Sequence, residues 1–113
     1  MQYGLTESTI NKIIFVFSGC PEIERVILYG SRAMGTYRNG SDLDLTIVGC
    51  KMTHSLELRI ENKLDDLLLP YKIDLSLLHE IGNPDLLDHI RRVGVVFYET
   101  APVSSNNPLP RTP

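Results

Sequence analysis

The chain has 113 residues, 42% of them hydrophobic and 22% charged, with a formal net charge of −3. That length supports one modest core rather than two. The charge excludes broad electrostatic attraction to nucleic acid, though not a single nucleotide whose phosphates a metal neutralises.

Cys20 and Cys50 lack the paired spacing of a zinc site or a disulfide framework, and two free thiols are expected. The longest early apolar run, Ile13–Phe17, falls far short of the roughly 20 residues of a membrane span. No membrane association is expected, and the cytoplasm is the expected compartment.

In chain order, Thr6 stands as an N-cap before Ile10, Ile13, Ile14 and Phe17, which share one helical face until Gly19 and Pro21 stop the helix. A strand is predicted over residues 25–29, rich in β-branched and aromatic types. Gly30 ends it, and residues 31–35 are short enough for one turn of helix. Asn39-Gly40 signals a turn before a second strand, 42–48.

After Gly49, residues 53–69 place Leu56, Ile60, Leu64 and Leu67 on one helical face, closed by Pro70. A third strand is predicted at 72–78. Asn83-Pro84 then reads as a cap and first helical residue of a helix reaching Arg92. Arg91 and Arg92 suit its C-terminal dipole. Gly94 precedes a fourth strand, 95–98. The expected fold class is α/β, an α+β two-layer unit with a mixed sheet of about four strands. The domain is placed at residues 1–100, followed by a proline-rich tail at 101–113 expected to lack fixed structure.

The chemistry concentrates in residues 30–45, GSRAMGTYRNGSDLDL. Gly30 to Gly35 has the gap of a Walker loop, but Thr36-Tyr37 stands where Lys-Ser/Thr is needed, and no G-x-G-x-x-G occurs. A glycine turn with a serine hydroxyl still lets backbone amides reach an anion. Taken alone, Gly30-Ser31 is a weak signal and reads as an ordinary turn.

Asp42 and Asp44 alternate onto one strand face, away from Leu43, Leu45 and Ile47. Aspartate is disfavoured in strands, and two neighbouring carboxylates repel unless something positive lies between them. Mg²⁺ suits such oxygen ligands, whereas a solvated Asn-Gly-Ser-Asp turn explains the pair without any metal. Asp74 tips the balance, since it lies between Ile73 and Leu75 with Lys72 and Ser76 on its face. Three acids beside a phosphate turn suit metal-assisted phosphoryl or nucleotidyl transfer.

The ordered set Gly30-Ser31, Asp42-x-Asp44 and the later Ile73-Asp74-Leu75 resembles the DNA polymerase beta-type nucleotidyltransferase superfamily. Within it, the chain is similar to the minimal nucleotidyltransferases (MNT) of bacteria and archaea. The resemblance implies that Gly30 and Ser31 hold the triphosphate. It implies that Asp42 and Asp44 bind two Mg²⁺ ions, and that Asp74 ligates metal and helps deprotonate the acceptor. AMP from ATP is the implied donor group, with pyrophosphate leaving. Met34 departs from the pattern, where many relatives carry a second basic residue, and leaves Arg32 and Arg38 as the candidate phosphate contacts.

The resemblance also implies a HEPN-domain partner encoded nearby, one of whose tyrosines is modified with AMP in a toxin–antitoxin pair. Two other readings stay open: a non-catalytic antitoxin or regulatory subunit acting by occlusion, and nucleotide transfer to a small molecule or RNA presented by a separate subunit. His54, His79 and His89 share no spacing and are expected to have no metal or catalytic role. Tyr37 is read as a surface loop residue, with stacking on a base as the alternative.

Overall fold

In the computed structural model, which describes residues 1–100, alternation along three strands decides which face of the sheet becomes the core. β1 (Arg25–Tyr29) sends Val26 and Leu28 inward, β2 (Leu43–Val48) sends Leu43, Leu45 and Ile47, and β3 (Ile73–Leu77) sends Leu75 and Leu77. α1 (Glu7–Ser18) covers that face with Ile13, Val16 and Phe17, and α3 (His54–Asp65) covers it with Ile60 and Leu64. β4 (Val95–Glu99) completes a sheet ordered β3-β2-β1-β4. β1 runs antiparallel to β2 and β4, and β2 runs parallel to β3, so the sheet is mixed as expected.

Helix ends follow the capping chemistry. Thr6 Oγ1 accepts from the amide of Thr9 at 3.2 Å, and Thr53 Oγ1 from that of Leu56 at 3.3 Å. Asn83 Oδ1 accepts from Asp85 (2.9 Å) and Leu86 (3.3 Å) to start α4 (Pro84–Val93), with Pro84 in its first turn. α3 stops at Asp65, short of the expected Leu69. The amides of Leu67 and Leu68 bond three residues back, and Leu68 turns to φ 54°. Pro70 disfavours helical backbone at the residue before it, so the chain must leave the helix early.

Two local features went beyond the sequence pattern. A 3₁₀ turn, Leu78–Glu80, follows β3 where the strand was expected to continue, and it folds back against β2. Residues 2–5 also make a tight bridge that buries Leu5. A bulge in β4 sets Val26 opposite Tyr98 but Ile27 opposite Val96. The extra residue lets the consecutive Phe97 and Tyr98 both approach Phe17, at ring separations of 6.5 and 6.0 Å.

α4 crosses the opposite face of the sheet against β1. Gly94 is closed against Ile27, and His89 stands edge-on to Tyr29. On the same outer face Asp44 is half-buried and Asp74 is exposed.

Cys20 is buried, Cys50 is exposed, and both are free. No helix of the described residues is long and apolar enough to cross a membrane. The expectation for the 101–113 tail lies outside the described residues.

Phe17 is fully buried at the meeting point of α1 and the β4 bulge. Phe17→Ala is expected to cost about 3–5 kcal/mol, a large share of the roughly 5–15 kcal/mol typical of whole domains. A urea titration followed by circular dichroism measures it, with the midpoint falling and the slope kept.

Candidate active site

Strand register assembles the acids. Across the outer face, Tyr29 of β1 pairs with Asp44 of β2, and Asp44 pairs with Asp74 of β3. The next row on that face is Ile27, Thr46 and Ser76. There Ser76 Oγ donates to Thr46 Oγ1 at 2.9 Å and ties β3 to β2 directly behind the acid pair. Asp42 lies one residue before β2, exposed, where the amide of Leu43 still donates to Lys72 O at 2.8 Å. Asp42 was expected as the first residue of the strand; regular pairing begins one residue later, at Leu43–Ile73, and leaves Asp42 at the mouth.

Gly30 comes against the same carboxylate. Its backbone has φ 79° and ψ −159°, a region closed to residues with a Cβ, and a Cβ built there would overlap Asp44 Oδ2. The turn and the acid are therefore in van der Waals contact by virtue of a missing methyl group. After Gly30 comes α2 (Ser31–Met34), a single turn whose Ala33 and Met34 amides donate to Gly30 O, both at 3.1 Å. The first amides of a helix have no partner inside it, so those of Ser31 and Arg32 remain as donors at the turn. The amide of Gly30 itself is occupied, donating to His89 Nε2 at 3.2 Å.

Charge in this row is unbalanced. Burial pushes the Asp44 carboxyl above its usual range, the charges of Asp74 and Asp42 add to that, and His89, when charged, pulls it partly back. Burial also raises the Tyr29 phenol; hydrogen bonding by Ser76 opposes this, while Asp74 and Asp44 reinforce it. Among the described residues, none of the three acids pairs with Lys or Arg. Nor do three His, Cys, Asp or Glu side chains there converge into a preassembled metal cluster.

Oxygen donors that repel one another and lack a cation fit Mg²⁺, which is held by one or two carboxylates with substrate phosphates completing its shell. Asp42, Asp44 and Asp74 are the residues that would hold it.

Of the two arginines expected at the phosphates, neither is ion-paired with the three acids among the described residues. Arg32 is only 3% exposed. Its Nε donates to Ser41 O (3.1 Å), its Nη1 donates to Tyr3 O (2.8 Å), and the rings of Tyr37 and Tyr71 flank it at 5.3 and 4.9 Å. These bonds give Arg32 a loop-closing place, joining the residue after Ser31 to the residue before Asp42. Tyr37 is a surface loop residue as expected, and its ring also faces the Arg32 guanidinium. Arg38 stays exposed, its amide donating to Ser41 Oγ at 2.8 Å.

His89 is the residue sequence reasoning missed. It lies 59 positions from Gly30, and only the crossing of α4 over β1 brings them together. No spacing in the sequence signals that approach.

A four-stranded mixed sheet with a Gly-Ser turn against an Asp-x-Asp strand and a third acid opposite defines a nucleotidyltransferase-type domain. The chain matches the family described as "Polymerase beta, Nucleotidyltransferase" over residues 11–102, and it belongs to that family. Solved structures share the fold. A toxin–antitoxin crystal structure with AMP-PNP superposes with a TM-score of 0.64 at 23% identity, over 85% of this chain and 75% of that one. The MntA–HepT toxin–antitoxin gives 0.62 at 20% identity, over 84% and 74%. A tri-AMPylated Shewanella oneidensis HEPN toxin in complex with an MNT antitoxin gives 0.62 at 19% identity, over 85% and 74%. No curated protein sequence matches the chain.

The raised Asp44 carboxyl has a consequence for the metal-free protein. The folded state holds its proton at pH values where the unfolded chain has released it, so stability falls as pH rises from the ordinary carboxylate range through the folded value and then levels off. Asp44→Asn removes that loss. In EDTA at neutral pH the variant is expected to melt above the wild type, with the two converging in acid, as scanning calorimetry across pH checks. Gly30→Ala is expected to lose stability by about 1–3 kcal/mol from backbone strain alone, since its new Cβ also displaces Asp44.

Proposed function

We propose that this protein is a Mg²⁺-dependent nucleotidyltransferase that moves AMP from ATP onto a hydroxyl of a partner protein. The acceptor in this reading is a tyrosine of a HEPN toxin, and the protein is its antitoxin. The observation that carries the reaction class is the register pairing of Asp44 with Asp74 beside the Gly30 turn. Family membership supports nucleotidyl transfer. The partner is supported by fold neighbours described as toxin–antitoxin complexes, one with AMP-PNP and one with a tri-AMPylated HEPN toxin.

In this reading the Ser31 hydroxyl and the free amides at the start of α2 receive the triphosphate. Asp42, Asp44 and Asp74 hold Mg²⁺, which when bound neutralises phosphate charge and offsets the repulsion among the acids. The acceptor oxygen bonds to the α-phosphorus as the bond to pyrophosphate breaks, and its proton passes to the carboxylate of Asp74. Asp74 suits that task because it is exposed and lies on β3, an edge strand. A hydroxyl carried by another polypeptide can approach it from outside the sheet, whereas Asp44, between two strands and half-buried, faces the nucleotide.

Incubation of the protein with Mg²⁺, ATP labelled at the α-phosphate and the HEPN protein encoded beside it tests the proposal. Label is expected on a tyrosine of the partner. It should vanish in EDTA and fall by at least about a hundredfold in Asp44→Asn, the loss of several kcal/mol of transition-state charge stabilisation. Equal labelling by wild type and Asp44→Asn defeats the reading. Full neutralisation of the toxin by an Asp42→Asn/Asp44→Asn double variant transfers the antitoxin role to occlusion.

A further inference from the structure

We propose that His89 is a positioning residue for the Gly30-Ser31 turn, accepting the Gly30 amide so that the neighbouring amides and Asp44 face the nucleotide. The effect on nucleotide handling rests on the nucleotidyl-transfer reading above; the bond itself does not.

At the end of β1 the chain leaves the sheet, and the amide of Gly30 would otherwise be a half-buried donor without a partner. His89 Nε2 takes it at 3.2 Å. An accepting Nε2 carries no proton, so the neutral ring holds its hydrogen on Nδ1. The ring packs against β1. It stands edge-on to Tyr29, with centroids 6.1 Å apart and planes at 80°, and the next residue, Ile90, is buried beneath α4.

α4 is itself fixed at both ends, by the Asn83 cap and by Gly94, whose amide donates to Ile90 O at 2.8 Å. A rigid helix thus presents one acceptor to one glycine. With that amide drawn toward α4, the open side of Gly30 lies against the Asp44 carboxylate. The phosphate-facing donors are then those of Ser31 and Arg32, not of Gly30. The bond therefore sets the direction in which the turn donates, which a residue that merely filled space under α4 would not do.

Four variants separate positioning from packing. His89→Gln keeps an acceptor at similar reach, His89→Phe and His89→Leu keep bulk without one, and Ile90→Val loosens α4 without touching Gly30. Amide hydrogen exchange in the nucleotide-free protein reads the bond without turnover. Gly30 is expected to stay protected in wild type, His89→Gln and Ile90→Val. In the Phe and Leu variants it should exchange about fivefold to tenfold faster, the typical worth of one such bond.

ATP affinity by calorimetry, and KM for ATP where transfer occurs, should weaken by a similar factor in the Phe and Leu variants with kcat little changed. His89→Gln should recover to within about twofold. Unchanged Gly30 exchange in both apolar variants overturns the bond. Faster exchange with unchanged ATP affinity overturns the positioning role. Wild-type protein that binds ATP but transfers nothing defeats the reaction proposed above while leaving both contrasts measurable.

Discussion

Everything near the site depends on two like charges being placed opposite each other in a parallel strand pair. Asp44 and Asp74 are register partners on the outer face of β2 and β3, where cross-strand like charges are destabilising. The sheet tolerates them because the remainder of each strand is strongly committed. Leu43, Leu45 and Ile47 are fully buried on the inner face, as are Leu75 and Leu77 nearly so. Slipping the register by one residue to separate the acids would turn that whole apolar set outward. The core therefore holds the carboxylates together against their own repulsion, and the Thr46–Ser76 hydrogen bond fastens the row behind them.

The remaining devices converge on the same few ångströms from different parts of the chain. Arg32 bridges Tyr3 O and Ser41 O, so the N-terminal turn, the start of α2 and the loop before Asp42 are joined through one buried guanidinium. Its charge has aromatic faces on Tyr37 and Tyr71 rather than a carboxylate, an arrangement suited to a weakly hydrated planar cation and poorly suited to lysine. Gly30 has neither a side chain nor an ordinary backbone conformation, and both are required by Asp44. Electrostatic cost is thus concentrated at the acid row, where function is proposed, and is offset by a core of ordinary composition.

Local pattern carried most of the fold. Period-two alternation in 43–48 and 73–77 and the apolar stripes of α1 and α3 are properties of neighbouring residues, and the caps Thr6 and Asn83 are read from one or two positions. The acids were legible for a related reason: aspartate inside an apolar strand is a contradiction visible in the sequence itself. Arg32 and His89 were not. Whether an arginine faces phosphate or a carbonyl depends on where residues 3 and 41 come to lie, and the His89 contact depends on how α4 crosses β1. The 3₁₀ turn after β3 and the early end of α3 belong to the same class, since tertiary packing and Pro70 overrode a continuous periodic pattern.

The one-sided placement of α4 connects these observations to access. By crossing β1, α4 supplies His89 to the Gly30 turn. β3 is also an edge of the sheet, and Asp74 is its exposed outward residue. The row is consequently graded, from Tyr29 buried under α4, through Asp44 half-buried, to Asp74 open at the margin. A graded row of this kind distinguishes two approaches to one set of carboxylates: a covered end built around the glycine turn, and an uncovered end at the sheet margin. In the proposed reaction the first belongs to the nucleotide and the second to the acceptor. The fold keeps them apart, because the edge of the sheet provides the separate entrance.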